Sequence, residues 1–191
     1  YLYDSIIHLA DLGYNFKAII TEKAYEEYDI KEEDFRNLAD KLGADFYMSK
    51  TLNIPALLET IKQNEIQIAI SANWQYKIPK SILDLFQYGI INFHLGNLPD
   101  YKGNATVNWT IINGEKFIYG NIHKMDPELD AGDVISRKAI SISPVTYIKD
   151  ILVEAEKDAP ILYEEAIKNL HADPASYVVK GSLQGLRCYP R

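Results

Sequence analysis

Cysteine is nearly absent from this sequence, and long apolar runs are missing altogether. The 191 residues include a single cysteine, Cys188, so no disulfide can form within the chain. That count excludes the disulfide-stabilised frameworks of small secreted domains and fits a reducing cytoplasm. No apolar run approaches the roughly 20 residues of a membrane-spanning helix, and no signal-peptide pattern is seen. We therefore expect a cytoplasmic protein without membrane contacts.

Basic residues are also too few for a protein that binds polyanions through its overall charge. Lys and Arg number 20 against 27 Asp and Glu, which gives a net charge of -7. This balance argues against broad binding to nucleic acids or to anionic membranes. The content of 47% hydrophobic and 25% charged residues is that of a globular domain, and 191 residues are enough for one core of ordinary size.

The two ends of the sequence look incomplete. There is no initiator methionine, and the chain begins at Tyr1 with the pattern of a helix, although a parallel α/β domain usually begins with a strand. It stops abruptly after Cys188-Tyr189-Pro190-Arg191. We expect part of a longer protein: one domain over residues 1–175 that lacks its first strand, followed by a tail over residues 176–191.

The alternation of apolar patterns predicts a layered α/β domain. Apolar residues at helical spacing predict helices, and short apolar runs predict strands. The predicted helices cover residues 2–12, 32–42, 54–64, 79–86, 105–112 and 146–170. The predicted strands cover residues 16–20, 45–48, 66–72, 88–93, 117–124 and 134–142. Strands that alternate with helices of about ten residues predict a doubly wound, mostly parallel sheet.

Two local features refine this pattern. The loop between the strands at 117–124 and 134–142 has a length that suits an antiparallel pair. Pro160 lies inside the last predicted helix, and because proline removes a helical hydrogen bond we expect it to break or kink that helix.

A polar pair stands at the end of one predicted strand. Asn92 and His94 follow the apolar residues Ile90 and Ile91. Alternate residues of a strand share a face, so both side chains should point the same way. A turn-rich segment, 96–104, comes directly afterwards. Open α/β sheets carry their active sites in the loops at the carboxyl ends of strands, and we expect the chemistry of this protein there.

A second polar loop, at 125–133, lies between the strands of the expected antiparallel pair. Its Asp130 would add a carboxylate to the amide of Asn92 and the imidazole of His94. Such a set suits acyl transfer to an amine, because a neutral amine is itself a nucleophile and needs only oxyanion stabilisation and a proton acceptor. Asn92 and His94 would stabilise the oxyanion, while Asp130 would orient the imidazole.

These residues also have structural interpretations. Asn92 can bond the backbone of a turn. Asp126 and Asp133 compete with Asp130 for the role of the catalytic carboxylate, since each of the three can instead cap a turn or lie in solvent. We interpret His123, on the strand 117–124, as a structural residue. His123 with His94 and Asp130 would offer metal ligands, but no tight ligand spacing supports a metal site, and none is expected.

Several motifs, taken in order, resemble those of the folate-dependent formyltransferase family. Asn92-Phe93-His94 matches the family's Asn-x-His, and Leu98-Pro99 with Tyr101-Lys102-Gly103 matches the Leu-Pro and Tyr-x-Gly that follow it. The segment 129–133 matches the family's Leu-Asp-x-Gly-Asp loop. Each motif alone is weak, but their joint occurrence in this order is specific.

The resemblance extends over residues 66–142, with a weaker similarity at 186–191. It covers the helix that connects the motifs, including Trp109 and the ending Asn113-Gly114-Glu115. It implies a Rossmann-like formyltransferase fold and 10-formyltetrahydrofolate as the formyl donor. It also implies that Asn92, His94 and Asp130 are the catalytic set.

By the same resemblance, two loops border the folate. One follows a sheet strand and the other is the acidic loop. The cofactor-binding residues implied in this way are Trp74, Tyr76, Lys77, Ile78, Asp126 and Glu128. The acidic loop would contribute largely through its backbone.

The acceptor implied by the resemblance is an amino sugar carried by a nucleotide diphosphate. The loop 71–74 and the end of the chain are most similar to the nucleotide-sugar N-formyltransferases, and Arg187 and Arg191 would then help to bind phosphates. The family's Pro-Ser-Leu after the histidine is replaced here by Leu95-Gly96-Asn97, which puts the identity of the acceptor in doubt. The residues placed at the acceptor are Gly96, Asn97, Tyr101, Lys102, Gly103 and Asn104.

Three other functions remain open at this point. They are formylation of methionyl-tRNA, which the acidic composition disfavours, hydrolysis of the formyl folate, and folate binding without turnover. The resemblance also implies a homodimer, although no interface can be read from the sequence.

Overall fold

The computed structural model describes residues 1–182 and the backbone of Cys188–Tyr189. The helices are α1 (Leu2–Asp11), α2 (Glu32–Leu42), α3 (Pro55–Gln63), α4 (Lys80–Leu83), α5 (Thr106–Ile112) and α6 (Ile148–Ala172). The strands are β1 (Ala18–Thr21), β2 (Asp45–Met48), β3 (Ile68–Ala72), β4 (Gly89–Leu95), β5 (Lys102–Gly103), β6 (Phe117–Lys124), β7 (Val134–Ser141) and β8 (Cys188–Tyr189). Every helix and strand predicted from the sequence is present, α4 is shorter than predicted, and β5 is not predicted.

The strands form three hydrogen-bonded groups. The largest has the order β3-β4-β6-β7, in which β3 and β4 are parallel and the other two pairings are antiparallel. Two short parallel pairs complete the set, β1 with β2 and β5 with β8. Three of the five strand pairings among the described residues are therefore parallel, and the α/β class and the antiparallel pair β6–β7 are confirmed. Within the described part of the chain, β1–β2 and β3–β4 belong to separate sheets.

Helices cover both faces of the main sheet, and this arrangement follows from the alternation of side chains along β4. Ile91 and Phe93 point into a core shared with α6, while Ile90 points into a second core shared with α3 and α4. Because β4 is apolar on both faces, it is sandwiched between helical layers, as expected for a parallel strand of a doubly wound sheet. Its two polar residues, Asn92 and His94, lie on the Ile90 side.

The predicted break at Pro160 does not occur, because α6 runs from Ile148 to Ala172 as one helix. Proline deprives the carbonyl of Glu156 of its helical donor, but Glu156 is exposed, so water can replace that donor. Buried neighbours on both sides, Ala159 and Leu162, hold the helix against the sheet. Packing thus overrides the local preference.

Local signals set several helix ends. Gly43 ends α2 in the left-handed conformation, with φ 66°, which glycine adopts without steric cost. Pro55 begins α3 at a position where its missing N–H is not needed. None of the helices in residues 1–182 combines the length and apolarity that crossing a bilayer would require.

Candidate active site

Four polar side chains share one face of the sheet where β4 and β6 pair. The antiparallel register places Asn92 opposite His123, and His94 opposite Asn121. Directly opposed residues lie on the same face, so these side chains form a compact polar patch. Asn121 and His123 are almost completely buried, His94 is 8% exposed, and Asn92 is the most accessible of the four.

Asp130 joins this patch from the loop between β6 and β7. Its Oδ2 atom lies 3.6 Å from Nδ1 of His94, and its Oδ1 atom lies 3.5 Å from Nε2 of His123. The amide of Gly103 donates a hydrogen bond to Oδ2 at 2.8 Å. Asp130 has a left-handed backbone with φ 47°, which aspartate tolerates better than most residues. The carboxylate predicted from the motif therefore lies between two imidazoles.

The His94 ring is fixed by a backbone carbonyl. Its Nε2–H donates to the carbonyl oxygen of Tyr101 at 2.8 Å, which leaves Nδ1 toward Asp130. Gly96 makes this contact possible, because a Cβ at position 96 would lie 2.6 Å from Nε2 of His94 and 2.7 Å from the Tyr101 oxygen. A proton accepted on Nδ1 of His94 would be held next to the carboxylate of Asp130.

His123, interpreted from the sequence as a structural residue, contacts members of the predicted catalytic set. Its Nδ1 lies 3.1 Å from the carbonyl oxygen of Lys124, and its Nε2 lies 3.2 Å from Nδ2 of Asn92. A ring with its proton on Nδ1 satisfies both contacts, because it donates to Lys124 and accepts from the Asn92 amide. The sequence places Asn121 and His123 at alternate positions of β6, on one face of that strand. This pattern points to the site only once the register of β6 with β4 is known.

The pKa values of the paired groups move in directions that suit proton transfer. Burial lowers the pKa of His94 below the ordinary value for histidine, although Asp130 opposes this effect. Burial alone would raise the pKa of Asp130, but the close approach of Nε2 of His123, the positive charge of either histidine when it is protonated, and the Gly103 amide together hold that pKa well below its usual range. The arrangement favours an ionised carboxylate beside an imidazole that readily gives up its proton.

Asn121 holds the end of β4 in place. Its Nδ2 donates to the carbonyl oxygens of His94 and Gly96, at 3.0 and 2.7 Å, and also approaches that of Tyr119 at 3.0 Å. The chain can therefore turn away after His94 without leaving buried carbonyl groups unpaired. Nothing in the sequence singles out this residue, because a lone asparagine in a strand carries no motif.

A tyrosine from α6 supports the same strand end from the opposite face. The buried hydroxyl of Tyr163 accepts a hydrogen bond from the amide of Phe93 at 3.1 Å and donates one to the carbonyl of Ser71. It thus bridges β3 and β4 between the two residues that point into the site. Burial raises the pKa of Tyr163 far above its ordinary value, so the hydroxyl stays a neutral donor.

The two loops predicted to border the folate pack against the same apolar core. Trp74 and Met125 pack, partly buried, against one apolar cluster. Trp74 and Tyr76 meet edge to face with ring centroids 5.8 Å apart, and the Tyr76 hydroxyl donates to Glu22 at 2.7 Å. The side chain of Ile78 is 7% exposed and belongs to that core, so it offers little surface to a ligand.

Lys77, Asp126 and Glu128 are exposed, as their predicted position around the folate requires. Asp126 also accepts a hydrogen bond from the backbone amide of Glu128 at 3.0 Å, which stabilises the turn that these residues share. A turn-capping role, one of the alternatives raised by the sequence, therefore applies to Asp126.

Most of the residues predicted to contact the acceptor make internal contacts that support the site. Asn97 bonds the backbone of β6 at Phe117 and Tyr119, both at 3.1 Å. Tyr101 and Lys102 are 4% and 8% exposed. Gly96 lies against the ring of His94, and the backbone amide of Gly103 donates to Asp130.

Asn104 is exposed. Internal bonding and burial disfavour a direct contact of Asn97, Tyr101 or Lys102 with an acceptor. Arg187 and Arg191 lie outside the described residues.

The family comparison agrees with this geometry. The model of a protein family described as formyl transferase matches residues 9–167. A methionyl-tRNA formyltransferase from Caldanaerobacter subterraneus subsp. tengcongensis is 29% identical over 185 residues, which are 95% of this chain and 56% of that protein. The chain therefore spans about half the length of this relative.

Solved structures share the fold at low identity. A phosphoribosylglycinamide formyltransferase from Bacillus halodurans superposes with a TM-score of 0.70 at 17% identity, over 89% of each chain. The formyltransferase PseJ from Anoxybacillus kamchatkensis, solved with UDP-4,6-dideoxy-4-formamido-L-AltNAc and tetrahydrofolate, gives 0.61 at 16% identity, over 90% of this chain and 85% of that one. At such identities the likeness concerns the fold alone.

Proposed function

The chain belongs to the formyl transferase family, and on that premise we propose that it moves a formyl group from 10-formyltetrahydrofolate to the amine of a nucleotide-linked amino sugar. The observation that carries the proposal is the position of Asp130 between His94 and His123, next to Asn92. An amide donor, an imidazole and an ionised carboxylate are the groups that amine formylation needs, since no protein nucleophile takes part.

In this reaction the amine nitrogen of the acceptor attacks the formyl carbon, and a new C–N bond forms. The carbonyl oxygen becomes an oxyanion, which the Asn92 amide and the His94 ring stabilise by hydrogen bonding. The bond from the formyl carbon to N10 of the folate then breaks. A proton leaves the amine and ends on N10, and the His94–Asp130 pair holds it in between.

The folate donor is supported by the aromatic pair of Trp74 and Tyr76, because aromatic surface suits a flat heterocycle. Trp74 and Met125, one from each loop, also pack against the same apolar core. The exposed carboxylates of Asp126 and Glu128 lie on the adjoining acidic loop. These residues would bind and orient the donor, while the chemistry is left to the polar patch.

The sugar acceptor is favoured by the likeness in fold to PseJ, which was solved with a UDP-linked formamido sugar, and by the net charge of -7. We further propose that the protein works in the cytoplasm, supported by its single cysteine. The homodimer stays a prediction.

Methionyl-tRNA is the second candidate acceptor. It is favoured by the 29% identity to a methionyl-tRNA formyltransferase over 95% of this chain. Against it stands the acidic composition, because an acceptor of many phosphates is best met by basic charge.

The deciding experiment incubates the full-length protein with 10-formyltetrahydrofolate and a panel of amines, and follows the mass gain of one formyl group. The panel contains nucleotide-linked amino sugars, glycinamide ribonucleotide and methionyl-tRNA. Gain on one sugar, lost in His94→Ala, is the expected result. Gain only on methionyl-tRNA or glycinamide ribonucleotide would overturn the sugar assignment. Formate release without acceptor would identify a hydrolase, and folate binding without turnover would identify an inactive domain.

A further inference from the structure

The segment that follows α6 returns across the acidic loop and binds its far end. We call residues 178–182 the strap. The amide of Val178 donates to the carbonyl of Val134 at 2.7 Å, and the amide of Val134 donates to the carbonyl of Val179 at 2.9 Å. The strap is therefore bonded to the first residue of β7, only four positions after Asp130.

The carboxylate of Asp133 fastens the strap to the loop itself. Its Oδ2 accepts from Nζ of Lys180 at 2.8 Å, and its Oδ1 accepts from the backbone amide of Gly181 at 2.8 Å. An exposed ion pair alone contributes little, but here it is combined with a backbone bond to the same carboxylate. Asp133 thus has a defined partner, which separates its role from that of Asp130.

Gly181 brings the strap into direct contact with the residues after Asp130. A Cβ at this position would lie 2.1 Å from the carbonyl oxygen of Ala131 and 2.6 Å from the carbonyl carbon of Gly132. Both of the atoms that it would meet belong to the backbone, which cannot rotate away as a flexible side chain would. Any larger residue at 181 must push the loop or the strap aside.

The strap also reaches the other side of Asp130. The ammonium of Lys102, in β5, donates to the carbonyl of Ser182, and the neighbouring amide of Gly103 donates to Asp130 at 2.8 Å. Asp130 is therefore held from two sides. Its carboxylate accepts a hydrogen bond from β5, and the strap binds both β5 and the loop that contains Asp130.

From these contacts we infer that the strap is a positioning element that sets Asp130 between His94 and His123. The need for one follows from the backbone of Asp130, whose left-handed φ of 47° is maintained where neighbouring residues enforce it. The inference rests on the proposed transfer reaction for its effect on rate, but the geometry of the Asp130 pairings can be measured without turnover.

The test compares Gly181→Ala and Lys180→Met with Lys168→Met in the full-length protein. Lys168 is a matched control, because its ammonium also pairs with a carboxylate, that of Glu164, at an exposed site away from the patch. We expect Gly181→Ala to lower kcat by about 10- to 100-fold with little change in KM, since a misplacement of about 1 Å at a catalytic group has effects of that size. Lys180→Met should act in the same direction but less, and Lys180→Arg should restore the rate.

Nuclear magnetic resonance of the ring nitrogens supplies the second readout. The sequence contains 4 histidines, so the signals of His94 and His123 can be assigned by substitution. Both should shift in Gly181→Ala and stay unchanged in Lys168→Met, while circular dichroism confirms that each variant is folded. If kcat falls but the ring signals do not move, or if neither changes, the strap does not position Asp130. If the wild type transfers no formyl group at all, the proposed function fails, and the ring signals alone decide the role of the strap.

Discussion

Nε2 of His123 and Oδ1 of Asp130 are 3.5 Å apart, so the carboxylate serves two imidazoles and not one. A neutral amide in its place would keep the shape of Asp130 but could not favour a protonated His94. We expect Asp130→Asn to lower kcat by about 100-fold or more, the usual range for loss of acid–base support. Steady-state rates of formyl transfer provide the measurement.

A matched control for that substitution is Asp158→Asn. Asp158 is 4% exposed and pairs with Lys138 on the opposite face of the sheet. Asp158→Asn should lower the free energy of unfolding but leave kcat unchanged. Equal losses of kcat in the two variants would show that the effect of Asp130→Asn comes from lost stability.

Acidification should destabilise the fold through His94. Burial lowers the pKa of His94 in the folded protein, so the unfolded state binds a proton more readily. The free energy of unfolding therefore has its full contribution from neutral His94 only above the unfolded pKa of about 6.5. The free energy of unfolding should therefore fall as the pH drops below about 6.5, by at most about 1.4 kcal/mol per pH unit for this one group. The depressed pKa of Asp130 adds a further loss only below its unfolded value of about 3.9.

Urea unfolding between neutral and mildly acidic pH measures this dependence. His94→Gln should reduce the slope, because the variant has no group to titrate at that position. His171→Gln, at an exposed histidine, is the control for the loss of a histidine as such. A slope that is the same in wild type and His94→Gln would rule out His94 as its source.

Loss of one hydroxyl from α6 should weaken both the fold and the site. Tyr163→Phe leaves the buried amide of Phe93 and the carbonyl of Ser71 without their shared partner. An unsatisfied buried group costs about 1–3 kcal/mol, and we expect a loss in that range from urea unfolding. Because Phe93 lies between Asn92 and His94, kcat should also fall. Tyr28→Phe, at an exposed tyrosine, is the control, and an equal cost there would contradict the account.

A methyl group added at Gly96 should disturb the chemistry. In Gly96→Ala the new Cβ would meet both Nε2 of His94 and the oxygen of Tyr101, so the imidazole must rotate or the loop must move. We expect kcat to fall by about 100-fold, as for other small displacements of catalytic groups.

Gly114→Ala provides the comparison. A Cβ at position 114 would meet no heavy atom within 4 Å, but φ is +67° there. This variant should lose about 1 kcal/mol of stability from backbone strain and keep its rate. A full rate in Gly96→Ala would show that the His94–Tyr101 contact is dispensable.

Much of the fold follows from the sequence because its signals are local. Apolar periodicity and terminal residues such as Gly43 and Pro55 act within a few positions, and the elements they predict are present. Pro160 shows the limit of this reasoning, since the helix around it is maintained by burial against the sheet.

Site residues that belong to a motif can be predicted from the sequence. Site residues that are brought in by strand pairing cannot. Asn92, His94 and Asp130 are brought together as the motifs indicate. His123 and Asn121 join them only through the pairing of β4 with β6, which no short segment encodes. The burial of Lys102 likewise depends on a contact with Ser182, far along the chain.

The hydroxyl of Tyr163 has one more consequence, which concerns how the protein can change over evolutionary time. It reaches the carboxyl edge of β3 and β4 from the helical layer behind the sheet, so a core position has a direct mechanical link to the strand end that carries Asn92 and His94. Replacement of a buried residue in α6 can alter the spacing of the two strands without touching any exposed group. The geometry of the polar patch can therefore be changed through the interior of the domain as well as through its exposed loops.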